Sequence, residues 1–204
     1  MIELYHNAQS RAVMIHALLE ELGVPFALRN VRYDDGSMRS EEFLSLNPMG
    51  KIPTLVDGEV VVAETAAVAV YLADRYKTPC DLAPNIEDPR RGEYLKWVVF
   101  QSTGIDAAMT QASVKFEIPR SHAGWGSTEV VVGVLRQRLA GADPYLFGSW
   151  FTAADLLLGM GLSWGFQFGL FPEHPELTRF AARVRERPAV ERALSSSQSE
   201  STET

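Results

Sequence analysis

The stretch from Asn47 to Tyr76 constrains the fold of this chain more than any other part of it. It reads NPMGKIPTLVDGEVVVAETAAVAVYLADRY. Two short apolar runs, Thr54 to Val56 and Val60 to Val62, flank Asp57-Gly58, which is the pattern of a tight β-hairpin. The residues that follow, Ala63 to Tyr76, have helical periodicity. The stretch therefore predicts a hairpin that leads directly into a helix.

The start of that helix is suited to bind an anion. Glu64 and Thr65 stand at its N-terminal edge, where free backbone N–H groups and the positive end of the helix dipole can hold a carboxylate. Thr65 adds a hydroxyl donor, and Glu64 can bind the ammonium group of the same ligand. The pair is thus a candidate site for an α-amino acid head group, with a plain helix cap as the alternative.

Pro53, at the start of the first hairpin strand, has no backbone N–H to give to a sheet. This position suits a place where Ile52 turns its own N–H and C=O outward, toward the backbone of a ligand. A cis Ile52-Pro53 bond would produce such an arrangement.

The residues before the hairpin predict a β-α-β unit followed by a short helix. The segments are a strand Ile2 to Tyr5, a helix Ser10 to Leu22, a strand Phe26 to Val31 and a helix Glu41 to Leu46. With the hairpin and its helix, the predicted order is βαβαββα. The turn from Tyr5 to Ser10 then lies at the carboxyl end of its strand, where open α/β sheets bind ligands.

With these motifs in this order, the chain resembles the glutathione S-transferase family. The resemblance covers nearly the whole chain, most strongly from Met1 to Tyr76 and again from Phe151 to Leu158. It implies an α/β thioredoxin-like N-terminal domain plus an all-α C-terminal helical domain, which is the glutathione transferase fold. It also implies glutathione as co-substrate, and a homodimer.

The resemblance further assigns parts of glutathione to residues of this chain. The backbone of Ile52-Pro53 would hold the cysteinyl part, Glu64-Thr65 the γ-glutamyl end, and Lys51 would lie near the glycyl carboxylate. Arg11 and Lys51 are the candidates for supplying positive charge next to this anionic ligand.

Three side chains compete to activate a bound thiol, whose pKa of about 8.5 leaves little thiolate at neutral pH. Ser10 stands at the predicted helix start, and Ser10-Arg11 matches the Ser-Arg pair of bacterial and fungal family members. Tyr5 has a spacing to Arg11 that resembles that in tyrosine-type members. Asn7 could donate an amide N–H or could simply form the turn. The sequence favours Ser10 and leaves Tyr5 and Asn7 open.

The chain beyond the hairpin and its helix predicts a second, helical domain. We predict a glutathione-binding domain over 1–78, a linker over 79–88, helices over 89–194 and a disordered, low-complexity tail over 195–204. Thr152 and Asp155 have the spacing of a capping box, which indicates a structural role. Aromatic side chains available to line a pocket for an electrophile are Tyr94, Trp97, Phe116, Trp125, Trp164 and Phe166.

Composition narrows the classes of function. The net charge of −7 gives no electrostatic footprint for nucleic acid. No apolar run is long enough to span a bilayer, so we predict no membrane partner. The single cysteine, Cys80, excludes an intramolecular disulfide and favours a cytoplasmic location, and we interpret it as a surface or packing thiol. The histidines lack metal-ligand spacing, so no metal is predicted.

The predicted function is that of a glutathione transferase in detoxification. It would activate the glutathione thiol for attack on a small hydrophobic electrophile. One alternative is a glutathione-dependent peroxidase or disulfide reductase that uses the same site. The other is a regulatory protein that binds glutathione without turnover.

Overall fold

The computed structural model describes residues 1–77, 81–119 and 121–202, with side chains as far as residue 196. It divides into two compact units, one of Met1–Asp81 with Pro188–Thr204 and one of Leu82–Arg187. Cys80, for which the sequence predicts a surface or packing thiol, lies outside the described residues.

The first unit contains the predicted βαβαββα order. Its elements are β1 (Ile2–His6), α1 (Ala12–Leu22), β2 (Phe26–Asn30), a 3-10 turn (Ser37–Arg39), α2 (Glu41–Leu46), β3 (Thr54–Asp57), β4 (Val60–Ala63) and α3 (Thr65–Arg75). The sheet order is β2-β1-β3-β4, with β1 parallel to β2 and antiparallel to β3, and β3 antiparallel to β4. The thioredoxin-like domain predicted from the sequence is confirmed.

Side chains of β1 alternate between the two faces of the sheet, as the period of a strand requires. Leu4 and His6 are fully buried, and the His6 ring lies 5.5 Å from that of His16 in α1. Tyr5 points to the other face, where its ring lies 5.1 Å from that of Phe43 in α2. The two helices therefore cover opposite faces of β1.

The second unit is helical, as predicted. Its helices are α4 (Arg91–Phe100), a π-helical segment (Gln101–Asp106), α5 (Ala107–Val114), α6 (Thr128–Leu139), α7 (Ala153–Gln167) and α8 (Pro175–Arg185). The π-helical segment connects α4 directly to α5. There the buried Gln101 side chain donates to Asp106 Oδ1 at 3.1 Å.

Helix α7 contains two glycines at packing contacts and begins at the predicted capping box. A Cβ at Gly159 would overlap the Val184 side chain of α8, and one at Gly161 would overlap the Gln101 side chain. These glycines therefore permit close packing of α7 against its neighbours. At the start of α7, Thr152 and Asp155 form the predicted capping box.

The last helix, α9 (Pro188–Thr202), differs from the prediction in two respects. It packs along α1 in the first unit, whereas the sequence placed 188–194 in the helical domain. Helical backbone also continues to Thr202, where the sequence predicted disorder from residue 195. The buried Val190 and Ala193 anchor α9, and an anchored helix can extend through polar residues because nucleation has already been achieved.

Candidate functional site

Three segments meet at one edge of the sheet. In the strand register Tyr5 pairs with Thr54, and Thr54 pairs with Ala63. Continuing this register beyond the strand ends places the turn after β1 next to Pro53, and Pro53 next to Glu64. The first turn, the proline loop and the start of α3 therefore converge at this edge.

The loop before β3 has an available backbone donor. The Ile52–Pro53 peptide bond is cis, and Pro53 is buried while Ile52 is partly exposed. No residue within the described part of the chain accepts a hydrogen bond from the Ile52 N–H. This donor can therefore pair with the backbone of an extended ligand.

Helix α3 begins without a side-chain cap. Its first backbone hydrogen bond runs from the Val68 N–H to the Glu64 carbonyl at 2.9 Å, so the three preceding N–H groups have no acceptor within the helix. Glu64 is exposed and has φ 71 and ψ 122, an uncommon conformation for a residue with a side chain. Thr65 follows it and is 8% exposed. The arrangement offers N–H donors, a hydroxyl and a carboxylate within two residues.

The Tyr5 ring packs against other side chains of the first unit. Its ring contacts a small apolar cluster formed by Val31, Met38 and Phe43, and burial raises the pKa of its phenol above the ordinary value. Because this cluster lies on the α2 face of the sheet, the ring points away from the face on which α1 packs.

The Ser10 hydroxyl already has partners within the turn. Ser10 is 5% exposed; its Oγ donates to the Asn7 carbonyl at 2.7 Å and accepts from the Ala12 N–H at 3.1 Å. A hydroxyl has one proton to donate. Ser10 could donate to a thiolate only after its bond to Asn7 is broken.

Asn7 retains a spare proton. Its Nδ2 donates to the Val31 carbonyl at 2.9 Å, and its Oδ1 accepts from the Gln9 N–H at 2.9 Å, so the amide orientation follows from its partners. An amide nitrogen carries two protons. Among the described residues nothing accepts the second proton of Asn7, and this side chain is partly exposed.

Cationic side chains flank the site. Lys51 is exposed in the proline loop, and Arg11 immediately precedes α1. The structure adds Arg39, which the sequence analysis missed: its Nη1 lies 3.0 Å from the position of a Cβ at Gly50. The guanidinium is thus next to the loop that contains Lys51. The sequence signal for it was weak, because Arg39 is one of two arginines in the polar segment between β2 and α2.

The six aromatic candidates for an electrophile pocket fall into two groups. Tyr94 and Trp97 are fully buried in the helical unit. Phe116 is 39% exposed, and three others are partly exposed: Trp125, Trp164 and Phe166. The buried pair belongs to the core, so the partly exposed group contains the remaining candidates.

Residues 1–77, 81–119 and 121–202 contain neither a membrane-spanning helix nor a cluster of metal ligands. None of their helices has both the length and the apolar character needed to cross a bilayer. They also contain no group of three or more His, Cys, Asp or Glu side chains that could hold a metal ion.

Known proteins resemble this chain in sequence. A family model described as Glutathione S-transferase, N-terminal domain, matches residues 1–74. Glutathione S-transferase theta-2 of Homo sapiens is 31% identical over 188 residues, which cover 86% of this chain and 75% of that protein. The chain belongs to the glutathione S-transferase family. By family it is therefore a glutathione transferase.

Solved structures of the same family agree with this assignment. A glutathione transferase from Methylococcus capsulatus is 26% identical with a TM-score of 0.82, and the match covers 97% of this chain and 99% of that one. A family member from Pseudomonas fluorescens Pf-5, solved with two glutathione molecules bound, is 28% identical with a TM-score of 0.74. That match covers 95% of this chain and 92% of the other. The predicted combination of a thioredoxin-like domain and a helical domain is confirmed.

Proposed function

We propose that this protein binds glutathione at the converging edge of its sheet and activates the thiol for attack on a small hydrophobic electrophile. The observation that carries the proposal is the meeting of three segments there: the turn after β1, the cis-proline loop and the uncapped start of α3. Each offers hydrogen-bond partners suited to one part of a tripeptide thiol.

The tripeptide would extend along this edge. Its γ-glutamyl carboxylate binds the N–H groups at the start of α3 and the Thr65 hydroxyl, and its ammonium group binds Glu64. Its cysteinyl backbone pairs with the Ile52 N–H beside Pro53. Its glycyl carboxylate lies near Lys51 and Arg39, which supply the positive charge that a protein of net charge −7 must provide locally.

The thiol would lie at the turn after β1, and the pattern of hydrogen bonds favours Asn7 as its donor. Asn7 has a spare N–H and is partly exposed. Ser10, the first choice from the sequence, uses its only proton within the turn, and Tyr5 packs on the α2 face. A hydrogen bond to a charged group contributes about 1.5–3 kcal/mol, which corresponds to a decrease of about 1 to 2 in the thiol pKa.

Titration of the thiolate absorbance of bound glutathione tests this assignment. We expect Asn7→Ala to raise the pKa of the bound thiol by about 1 to 2, because the charged sulfur loses its donor. Asn7→Ser, which restores a hydroxyl donor, should give an intermediate value. Ser10→Ala and Tyr5→Phe should both titrate like the wild type.

Other outcomes reassign the role or reject the function. A rise in the thiol pKa for Ser10→Ala, with none for Asn7→Ala, would make Ser10 the donor, and the same result for Tyr5→Phe would select the tyrosine. If calorimetry detects no binding of glutathione by the wild type, the proposed function is wrong.

The cations of the proline loop give a second prediction. Lys51→Gln and Arg39→Gln should each weaken glutathione binding about two- to fivefold, as expected for exposed charge pairs, and the double variant should weaken it about tenfold. Calorimetry at low salt measures the effect, and added salt should reduce it.

Arg32→Gln is the matched control for this prediction. Arg32 lies in the same polar loop, but its Nε pairs with Asp34 Oδ1 at 3.3 Å, so its removal should leave glutathione affinity unchanged. Wild-type affinity in the Lys51 and Arg39 double variant would contradict the assignment of the glycyl end.

The electrophile, the homodimer and the cytoplasmic location stay predictions. Conjugation of an aryl halide to glutathione, compared with reduction of a hydroperoxide, separates the transferase from the peroxidase alternative. Binding of glutathione without either activity would indicate the regulatory alternative. Light scattering of the purified protein tests the homodimer.

A further inference from the structure

One asparagine organises the loop that precedes β3. Asn47 is 6% exposed and uses each of its polar groups. Its backbone N–H donates to the Phe43 carbonyl at 2.9 Å and its carbonyl accepts from the Gly50 N–H at 2.8 Å. Its Oδ1 accepts from the Met49 N–H at 3.1 Å. The side chain is therefore fixed in one orientation.

The amide nitrogen of Asn47 and the hydroxyl of Thr54 together hold one carbonyl group. Asn47 Nδ2 donates to the Lys51 carbonyl at 2.8 Å and to Thr54 Oγ1 at 3.0 Å. Thr54, which is fully buried, donates through Oγ1 to the same Lys51 carbonyl at 2.9 Å. The three groups form a closed set of hydrogen bonds within the protein.

Holding this carbonyl determines the direction of the next N–H. The Lys51–Ile52 peptide is trans, and the C=O and N–H of a planar trans peptide point in opposite directions. Since the carbonyl points inward at Asn47 and Thr54, the Ile52 N–H points outward. It is also the N–H that has no acceptor among the residues described.

We infer that Asn47 and Thr54 are positioning residues that aim the Ile52 N–H at the cysteinyl backbone of glutathione. The inference rests on the proposed function and adds two residues that never touch the ligand. It explains why a buried amide and a buried hydroxyl are both directed at one backbone carbonyl: together they hold the donor in place before the ligand arrives, so less ordering accompanies binding.

Substitution of Thr54 gives the sharpest test. Thr54→Val keeps the shape of the side chain and removes the hydroxyl, so the Lys51 carbonyl loses one donor. We expect the Kd for glutathione to rise about tenfold, with a matching rise in KM for glutathione. The kcat and the KM for an aryl halide co-substrate should stay within about twofold of wild type, because the thiol donor is unchanged.

Three further variants complete the test, and the first two of them separate the effect on binding from any effect on folding. Thr54→Ser restores the hydroxyl and should return the Kd to within about twofold of wild type. Thr110→Val in α5 removes a hydroxyl that likewise donates to a backbone carbonyl, that of Asp106 at 2.8 Å, and should leave the Kd unchanged. Asn47→Asp removes both side-chain donors and should weaken binding at least as much as Thr54→Val.

Hydrogen exchange of the Ile52 amide measures directly whether this N–H binds glutathione. In the wild type, saturating glutathione should slow exchange of this amide about tenfold or more, and in Thr54→Val the protection should be much smaller. Equal protection and equal Kd in wild type, Thr54→Val and Asn47→Asp would overturn the inference, as would a Thr54→Ser variant as weak as Thr54→Val. A wild type that binds no glutathione would instead refute the proposed function.

Discussion

Asp155→Ala is expected to lower the free energy of unfolding of the helical unit by about 3–5 kcal/mol, the range for breaking a buried hydrogen-bonded network. The Asp155 side chain is fully buried. Its Oδ2 accepts from the Thr152 N–H at 2.9 Å and the Thr152 hydroxyl at 2.7 Å, and its Oδ1 accepts from the Leu146 N–H at 2.7 Å. Alanine would leave these buried donors without acceptors and would remove the carboxylate half of the capping box of α7.

Tryptophan fluorescence during urea unfolding measures this effect in the correct unit. The four tryptophans of the chain all lie within the helical unit, at Trp97, Trp125, Trp150 and Trp164. Glu173→Ala, a change of an exposed carboxylate in the same unit, is the control and should change stability little. A loss below about 1 kcal/mol for Asp155→Ala would contradict the structural role.

The pH dependence of this substitution has a definite sign. Burial raises the pKa of Asp155 from 3.8 to about 6, although hydrogen bonds from Leu146 and Thr152 oppose the rise. Between these values the folded protein holds a proton that the unfolded chain has released, so the carboxyl contributes more stability as the pH falls through 6. The loss caused by Asp155→Ala should therefore be about 1 kcal/mol larger near pH 5 than near pH 7.

His16 should make the first unit sensitive to acid in the opposite direction. The His16 side chain is 4% exposed. Its ring lies 5.5 Å from that of His6 in β1 and 5.4 Å from that of Phe26 in β2. Its Nε2 lies 3.8 Å from Glu20 Oε1 on α1, and that carboxylate also pairs with Arg192 of α9. Burial, with a smaller repulsion from His6, lowers the pKa of His16 to about 4, and Glu20 opposes this shift.

The unfolded chain binds a proton at His16 below about pH 6.5, whereas the folded protein resists protonation until about pH 4. The free energy of unfolding is thus unaffected by His16 well above pH 6.5, and it decreases as the pH falls from 6.5 to 4. The expected loss is about 3 kcal/mol at pH 4. His16→Leu should remove this dependence, because leucine does not titrate and suits the apolar surroundings.

Hydrogen exchange of the α1 amides, measured across this pH range, checks the prediction within the first unit, which contains no tryptophan. Comparison of wild type with His16→Leu at each pH cancels the opposite contribution of Asp155. His122→Gln, at an exposed histidine, should behave like the wild type. If wild type and His16→Leu lose α1 protection equally on acidification, the assignment to His16 is wrong.

The sequence predicted those features of fold and site that depend on neighbouring residues. The Asp57-Gly58 turn, the Thr152 and Asp155 cap and the possibility of a cis bond before Pro53 all follow from local preferences. The glutathione-binding assignments from the sequence, which lie between Lys51 and Thr65 except for Arg11, stay proposals.

Features that depend on contacts between residues distant in sequence could not be predicted from local preferences. Arg39 reaches the proline loop only because the chain folds back after α2. The ranking of Asn7 over Ser10 depends on the Val31 carbonyl and on a hydroxyl proton used within the turn. Helical periodicity predicted the last helix, but not that it would pack on α1.

The packing of α9 on α1 affects which surface the chain exposes during its synthesis. The first unit begins at Met1 and is completed by α9, from Pro188 onward. While the chain is being synthesised, α1 emerges from the ribosome long before α9, so the side of α1 that packs on α9 lacks its native partner until translation has passed Pro188. Chaperone binding to nascent chains should accordingly persist until that point, although the sheet of the first unit is made well before α9.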